Sequence, residues 1–442
     1  MTLDELRTAF DDGTVDTVLL VIADMEGRLQ GKRLTAAHFL EDVAEHGAEG
    51  CNYLLAVDVD MNTVDGYAMS GWDRGYGDFV MKPDLDTLRP VPWHEGTAML
   101  FADLAWEDGS DVVASPRQIL RRQLARLSER GWTAMAGTEL EFILFRDSYE
   151  EAWRKAFRDL QPGNDYNVDY SMLGTARVEP LIRRIRNSMM GAGMRVENSK
   201  GECNFGQHEI NFRYSDALSA ADDHAVYKNG AKEIAAQEGV AITYMAKFDE
   251  REGNSCHIHL SLADGDGENV FGSDEALFHR FVAGQLAALR ELTLLFAPHV
   301  NSYKRFAKGS FAPTAVAWGP DNRTCSMRVV GHGGGLRVEN RLPGADVNPY
   351  LALAGMIAAG LHGIDSGLEL EPPFEGNAYE SDRPTVPSNM YEARDLFAGS
   401  EIAREAFGTD VVDHYLNRAR VELETFESAV TDWERFRGFE RL

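Results

Sequence analysis

Residues 134–145 of the 442-residue chain read AMAGTELEFILF, an apolar run that carries carboxylates at 139 and 141. Side chains alternate across a β-strand, so Glu139 and Glu141 share one face while Leu140 and Phe142 share the other. Two carboxylates that close resist ionising together unless a cation lies between them. A solvated sheet face satisfies the same spacing, but the flanking AMAG and FILF point to a strand whose other face is buried. The pattern demands a sheet with an apolar back and a charged front.

The same device recurs. Cys256-His257-Ile258-His259-Leu260-Ser261 sets two imidazoles and a hydroxyl at alternate positions, and Arg337-Val338-Glu339-Asn340-Arg341 sets Arg, Glu and Arg on one face. Glu202 and Glu209 bracket CNFGQH, and Gln207 shares a face with Glu209; a polar turn entering a strand is the plainer alternative. Glutamates with a histidine and without thiolates are hard, oxygen-rich ligands, which suit Mg²⁺ or Mn²⁺ better than structural zinc. Such an ion commonly accompanies a nucleotide.

Between Asn301 and Arg341 the cations Lys304, Arg305, Lys308, Arg323, Arg328, Arg337 and Arg341 face only Asp321 and Glu339. The whole chain carries a formal charge of -27, so this local inversion needs a cause. Arginine clamps carboxylate and phosphate oxygens with paired hydrogen bonds. The apolar NPYLALAGMIAAG that follows argues for burial over a surface ion-pair ladder. Carboxylates for cations and arginines for anions describe an enzyme that brings an acid to a nucleotide phosphate, chemistry that needs chiefly positioning and charge neutralisation.

The overall acidity repels phosphate backbones and anionic lipid surfaces, so neither nucleic acid nor membrane is an expected partner. The apolar runs at 17–23 and 351–360 fall short of the roughly 20 residues of a membrane helix. The acidic N-terminus lacks a signal peptide's basic segment, and a cytoplasmic protein is expected. Cys51, Cys203, Cys256 and Cys325 form no CxxC pair and read as small buried residues.

An α+β architecture of two domains is expected. Residues 1–108 hold four β-rich runs (VDTVLLVIAD, GCNYLLAVDVDMN, GDFVMKPD, GTAMLFADLAW) and a helical stretch from Leu34 to about His46. Residues 109–442 open with the helix SPRQILRRQLARLSERG, with Ser115 as N-cap, Pro116 first and Gly131 past the last turn. Strands WTAMAGTELEFILF, GQHEINFRY, ITYMAKF and CHIHLSL then intermix with helices at VEPLIRRIRNSMMGAG, Ser219–Gln237 and Glu275–Leu295. The stretch from Arg146 to Gly174 reads as loop with one short helix. The C-terminus reads as amphipathic helices packed over the sheet or a neighbouring subunit.

Taken in order, DMEGRLQGKR, a DG followed by W, GTELEFILF, GECNFGQHEI, GNSCHIHLS, NSYKRF, NRTCSMR and RVENRLPGADVNPYLA resemble the glutamine synthetase family over almost the whole chain. In wording they are most similar to its actinobacterial members that join glutamate to an organic amine. The resemblance implies a small N-terminal β-grasp domain and a large glutamine synthetase-type catalytic α/β domain. It also implies sites formed between adjacent subunits of a hexameric ring, with two rings stacked as a dodecamer. Two divalent ions, Mg²⁺ or Mn²⁺, are implied: one held by Glu141, Glu202 and Glu209, the other by Glu139, His257 and Glu339 beside the phosphates of ATP. Arg305, Arg323 and Arg341, with the backbone at Gly253, match positions that grip glutamate and the transferred phosphoryl group. Arg328 and Arg337 match nucleotide-phosphate contacts, while His259, Ser261 and Glu197 match positions around the nucleoside. Asp65 with Gly66 matches the aspartate that a neighbouring subunit offers to the incoming amine. The implied reaction phosphorylates the glutamate side chain, and the amine then attacks the acyl phosphate.

Two positions depart from that pattern. Phe311 stands six residues after Arg305, where ammonium-using members place a glutamate, and Glu252 stands where a glutamate-binding asparagine is usual. A phenyl ring offers no ion pair to ammonium but packs against methylenes at about 0.8 kcal/mol each. An organic amine is therefore expected, with ethanolamine first on the wording of NYLLAVDVDMNTVDGYAMSGWDRGYGDF and KFDEREGNSCHIHLSL. Putrescine or spermidine, and ammonium, are the alternatives. Tyr67, Trp72 and Tyr76 near Asp65 line the amine pocket or belong to domain core or subunit interface. Outside ligation stand a phosphotransferase that stops at the phosphorylated acid and an inactive assembly scaffold. The presence of all six metal-ligand residues argues against the scaffold.

Overall fold

The apolar run TVLLVIA becomes the buried strand Thr17–Ala23, held between a parallel partner, Thr97–Ala105, and an antiparallel one, Leu29–Thr35. With Asp78–Pro83, Ala48–Cys51 and the short Arg89–Pro90 these make a six-stranded sheet. The computed structural model describes residues 1–442, and no helix in it is long and apolar enough to cross a membrane.

A nine-stranded sheet holds the expected site strands. From one edge its order is Trp318–Pro320, Met327–Val330, Arg337–Asn340, Cys256–Ala263, Thr133–Phe145, Gln207–Phe212 and Val196–Gly201. Ser215–Asp216 and Ala241–Thr243 pair separately with the long central strand. Leu140, Phe142, Ile258, Leu260 and Val338 on the back of the sheet are at most 1% exposed. Helix Ala217–Gln237 covers that back, where His224 Nδ1 meets Thr138 Oγ1 at 3.2 Å. Behind it lies Pro349–Asp365, capped by the Asn348 side chain and buried nearly all round. Helix Glu275–Ala288 approaches that helix so closely that a Cβ on Gly284 would fall 2.1 Å from Ala359 O. Only hydrogen fits there.

The two sheets are tied by a buried arginine. Arg117 reaches Asp84 (2.7 Å) and Asp103 (2.6 Å) of the first sheet region and Asp222 (2.9 Å) of the covering helix, and Tyr350 donates to the same Asp222 at 2.6 Å. Such a charge is tolerated in the interior because every arm has a partner.

Several expected elements are shorter or broken. The run GCNYLLAVDVDMN is strand only over Ala48–Cys51; a 3₁₀ turn at Asn52–Leu55 follows, because the buried Asn52 is engaged by Gly77 O through its amide and by Ser70 Oγ at 2.6 Å. ITYMAKF is strand only over Ala241–Thr243, since Asn254 Nδ2 captures the carbonyls of Thr243 (3.4 Å) and Met245 (2.9 Å) that a longer ladder needs. The helix expected over Glu275–Leu295 ends at Ala288 and resumes at Thr293–Phe296. The helix expected from Leu34 starts at Ala36, where Thr35 caps it after ending a strand. Residues 146–174 carry a helix at Tyr149–Arg154 and the start of a second, Met172–Thr175, each capped by a serine.

Candidate active site

Register assembles the site. In the pairing of Cys256–Ala263 with Thr133–Phe145, His257 stands opposite Glu139. On the other edge of the same strand His259 stands opposite Glu339, and Glu339 stands opposite Arg328. Toward the other side of the sheet Glu141 faces Glu209, and Glu209 faces Lys200. Opposed residues project to the same face, so all of these groups emerge on the side away from the covering helix. A slip of one residue in any pairing would exchange them with core side chains.

Glu139, His257 and Glu339 bring ligand atoms within 4.8 Å of one another, and so do Glu141, Glu202 and Glu209. These trios coincide with the two that the resemblance implies. One strand serves both, because Glu139 belongs to the first and Glu141 to the second. A further group, Asp169, Glu202 and Cys203, shares Glu202; its Asp169 comes from a distant exposed loop, so spacing along the chain gave no sign of it.

Around the first trio the charges are balanced by arginine. Glu339 is fully buried and accepts from Arg341 Nη1 (2.5 Å) and Arg328 Nη1 (2.9 Å). Burial opposes its ionisation, but His257 and the Arg341 guanidinium hold its carboxyl below the ordinary value. Burial opposes ionisation of Glu139 as well, yet hydrogen bonds with His257 and His259 hold it well below the usual carboxylate range. Burial, and then the Arg341 charge, push His257 down to about 4, leaving an unprotonated imidazole at neutral pH. His257 Nδ1 lies 3.3 Å from Glu139 and 3.7 Å from Glu339, and its Nε2 is buried without a partner. Arg337 Nε donates to His259 Nδ1 at 3.1 Å, so His259 Nε2 carries the proton that faces Glu139 at 3.0 Å.

The second trio is different. Glu141 is raised by burial and by the charge of Glu209, and Glu209 is raised by burial in turn. Glu141 Oε2 accepts from the Ser255 amide (2.7 Å) and from Gln207 Nε2 (3.1 Å). The only cation bonded to these carboxylates is Lys200, which bonds Glu202 and lies 3.5 Å from Glu209; the Arg305 charge also acts on Glu141. Sequence reasoning passed over Lys200, although its position two residues before Glu202 and opposite Glu209 gave a signal. Both donor sets fit a hard divalent ion: they are oxygen-rich, one adds an unprotonated imidazole, and the other holds a carboxylate pair whose raised pKa marks uncompensated negative charge.

Arg305 and Gly253, expected to grip anions, adjoin this second trio. Arg305 is 2% exposed; it donates to Leu342 O (2.8 Å), Arg341 O (3.0 Å) and Ser255 Oγ (3.3 Å). Burial pushes its guanidinium down to about 10. Gly253 passes so close that a Cβ there would meet Ala246 O at 2.3 Å and Arg305 Cγ at 2.9 Å, and its carbonyl accepts from Gln207 at 2.9 Å. Phe311 holds a left-handed φ of 58°, strained for a bulky residue, with its ring 57% exposed and its carbonyl 3.5 Å from Arg341 Nη2. On the other side of the first trio a cavity of about 560 Å³ is lined by Glu139, Glu197, His259, Ser261, Asn269 and Arg337.

Three expected residues are not joined to this assembly within one chain. Arg323 is exposed, and Glu252 points its side chain outward while Asn204 binds its carbonyl at 2.8 Å. Asp65 lies in the N-terminal region, where Asn417 (3.1 Å) and Arg420 (2.9 Å) hold its carbonyl and its side chain is exposed. Asp321, one of the two acids among the cations of 301–341, accepts from Arg328 Nε at 3.0 Å.

A sheet face with two acidic cages, flanked by buried guanidinium groups and a cavity of about 560 Å³, suits an enzyme that brings two anions together. The chain belongs to the glutamine synthetase family: residues 113–437 match the family model described as the glutamine synthetase catalytic domain. It is 66% identical over 443 residues to a γ-glutamylethanolamide synthetase of Streptomyces coelicolor, an alignment that covers 100% of this chain and 96% of that protein. It is 38% identical to a glutamate–isopropylamine ligase of a Pseudomonas species, over 97% of this chain and 96% of that one. A solved structure described as a GmaS–ADP complex superposes with a TM-score of 0.86 at 27% identity, covering 98% of this chain and 99% of the other.

Proposed function

We propose that this protein is an ATP-dependent ligase that joins the γ-carboxylate of glutamate to an amine through a γ-glutamyl phosphate, with ethanolamine as the amine. The observation that carries the reading is the shared strand: Glu139 and Glu141, two residues apart on one face, each complete a cation cage, so two cages stand side by side beneath the arginines. In this reading Glu141, Glu202 and Glu209 hold one divalent ion and Glu139, His257 and Glu339 the other. Those ions, when bound, neutralise charge on the phosphates and on the carboxylate they approach.

The chain's own groups do the rest. Arg305 and Arg341, fixed by main-chain and Glu339 contacts, present guanidinium groups to glutamate and the transferred phosphoryl group, joined by Arg323 once substrate draws it in. Arg328 and Arg337 serve the nucleotide phosphates, and His259, Ser261 and Glu197 line the nucleoside cavity. Phe311, whose carbonyl lies against Arg341, carries an exposed apolar ring that favours the methylenes of an organic amine over ammonium. Because Asp65 lies apart from its own chain's cages, the reading includes a ring of subunits in which residues 1–108 of one copy complete the site of the next, stacked in pairs as a dodecamer.

The test is ADP release with glutamate fixed and ammonium, ethanolamine, putrescine, spermidine or methylamine supplied, with the product identified by mass. Ethanolamine should support the fastest turnover, and Phe311→Glu should shift preference toward ammonium. Equal turnover with ammonium and the best organic amine would overturn the assignment.

A further inference from the structure

Helix Ala217–Gln237 covers the back of the catalytic sheet, and on its far flank lies a second cavity, of about 340 Å³. Its walls come from both halves of the chain: Arg28 and Val59 from the N-terminal region, and Lys228, Lys232, Tyr244 and Asp346 from the catalytic one. None of these groups belongs to the two cages or to the nucleoside cavity.

The charges around this cavity are unequally satisfied. Glu26 is gripped by Arg418 Nε (2.8 Å) and Nη2 (2.5 Å) with His299 at 3.2 Å, contacts that outweigh burial and push its carboxyl down to about 2. Arg28 spends Nε on Asp24 (2.7 Å) and Nη1 on Val59 O (2.7 Å). Asp346 accepts from Ser302 at Oδ2 (2.6 Å), while its Oδ1 is buried without a hydrogen-bond partner and its charge acts on Lys228. Lys228, by contrast, donates only to the main-chain carbonyls of Ala345 (2.7 Å) and Val347 (3.4 Å). Lys232, one turn further along the helix and exposed at the cavity mouth, has no carboxylate partner. Both ammonium groups stand over the ring of Tyr244, at 5.7 and 5.6 Å from its centroid. Two like charges four residues apart on a helix repel, and an anion between them converts that repulsion into two charge-assisted hydrogen bonds.

We propose that this junction is an effector site for a small multivalent anion, carboxylate or phosphate in chemistry, held by Lys228 and Lys232 over Tyr244. Its occupant touches the segment that leads to Asp65. Arg28, in the wall, holds Val59; Val57 bridges to Thr63 across the same turn; and helix Thr409–Ser428 holds both Glu26, through Arg418, and the Asp65 carbonyl, through Asn417 and Arg420. Anion binding therefore stiffens residues 57–65 and so tunes the amine site of the adjoining subunit, a consequence that rests on the proposed role of Asp65.

Thermal unfolding and calorimetry on the full-length protein, with citrate, succinate or inorganic phosphate against chloride at matched ionic strength, test the binding. A rise in Tm with one of these anions at up to about 10 mM is expected, together with slowed amide exchange over residues 57–65, and Lys232→Gln should weaken the affinity about tenfold. The citrate and phosphate arms separate the two chemistries. Lys228→Gln risks the fold through its buried contacts, so the mouth residue Lys232 decides. An unchanged affinity in Lys232→Gln, or no shift with any of the three anions, overturns the site. Binding without slowed exchange at 57–65 overturns the coupling, whatever the amine proves to be.

Discussion

The two cages sit on one strand and differ in what neutralises them. In the first, Glu339 is bonded by Arg328 and Arg341 and Glu139 by His257 and His259, and both carboxyl groups are held below their ordinary values. Glu141, Glu202 and Glu209 are bonded by no guanidinium: Lys200, an ammonium on a flexible stem, is their one bonded cation, Arg305 acts on Glu141 without bonding it, and the buried pair Glu141 and Glu209 is raised. A guanidinium fixed by paired bonds keeps a cage in shape; a lysine can leave. On the proposed reading the first cage is preorganised, and the second exchanges its internal cation for an external one.

Removing the anchor of the first cage should have the largest effect. Glu339→Ala deletes a ligand and leaves Arg328 and Arg341 buried without their carboxylate, and turnover should fall by about 10²–10³ while glutamate binding also weakens, read from ADP-release kinetics. Equal losses in Lys200→Met would erase the contrast between the cages.

In the second cage Lys200→Met should do the opposite of damage to the metal site. Removing a competing cation should tighten Mg²⁺ or Mn²⁺ binding by about tenfold, measured by calorimetry, with turnover less affected than in Glu339→Ala.

The pH dependence should separate the cages in metal-free protein. A carboxyl raised on folding stabilises below its unfolded pKa, and that contribution is lost as pH climbs through the folded value; Glu141 and Glu209 therefore cost stability from about pH 4.5 upward toward neutrality. Glu139 and Glu339, depressed on folding, act the other way: they stabilise above about pH 4.5, and the gain is lost as pH falls below it. The rise in Tm on adding Mg²⁺ should accordingly be larger at pH 8 than at pH 6. Glu141→Gln should flatten the metal-free decline by on the order of 1–3 kcal/mol across the window.

The smallest effect is expected at the edge of the first cage. Arg337→Ala frees His259 Nδ1 and lets the imidazole change tautomer, which should raise the KM for ATP about fivefold with little change in kcat.

Much of the fold was legible because strand alternation and helix caps are local. The runs ending in FILF and HIHLSL announced which residues would share a face, and Ser115-Pro116 announced the helix Pro116–Ser128, although the Ser115 side chain makes no capping bond. The misreadings fell where a distant polar group intervened: Ser70 and Gly77 turned the chain at Asn52, and Asn254 ended the strand at Thr243. Lys200 was overlooked because a lysine beside glutamate reads as an ordinary surface pair until Val196–Gly201 is laid against Gln207–Phe212.

The amino-acid sequence by itself determined the family, the residue types of both cages, and the faces on which they project, since side-chain direction follows from a period of two along a single strand. Tertiary structure brought residues 139, 257 and 339 together as the resemblance implied, and it alone decided that Lys200 occupies the second cage and that Lys228 and Lys232 overlook a cavity shared by both halves of the chain. Those relations depend on which strands become neighbours and in what register, and on how two sheets dock, which are properties of long-range packing rather than of any local pattern.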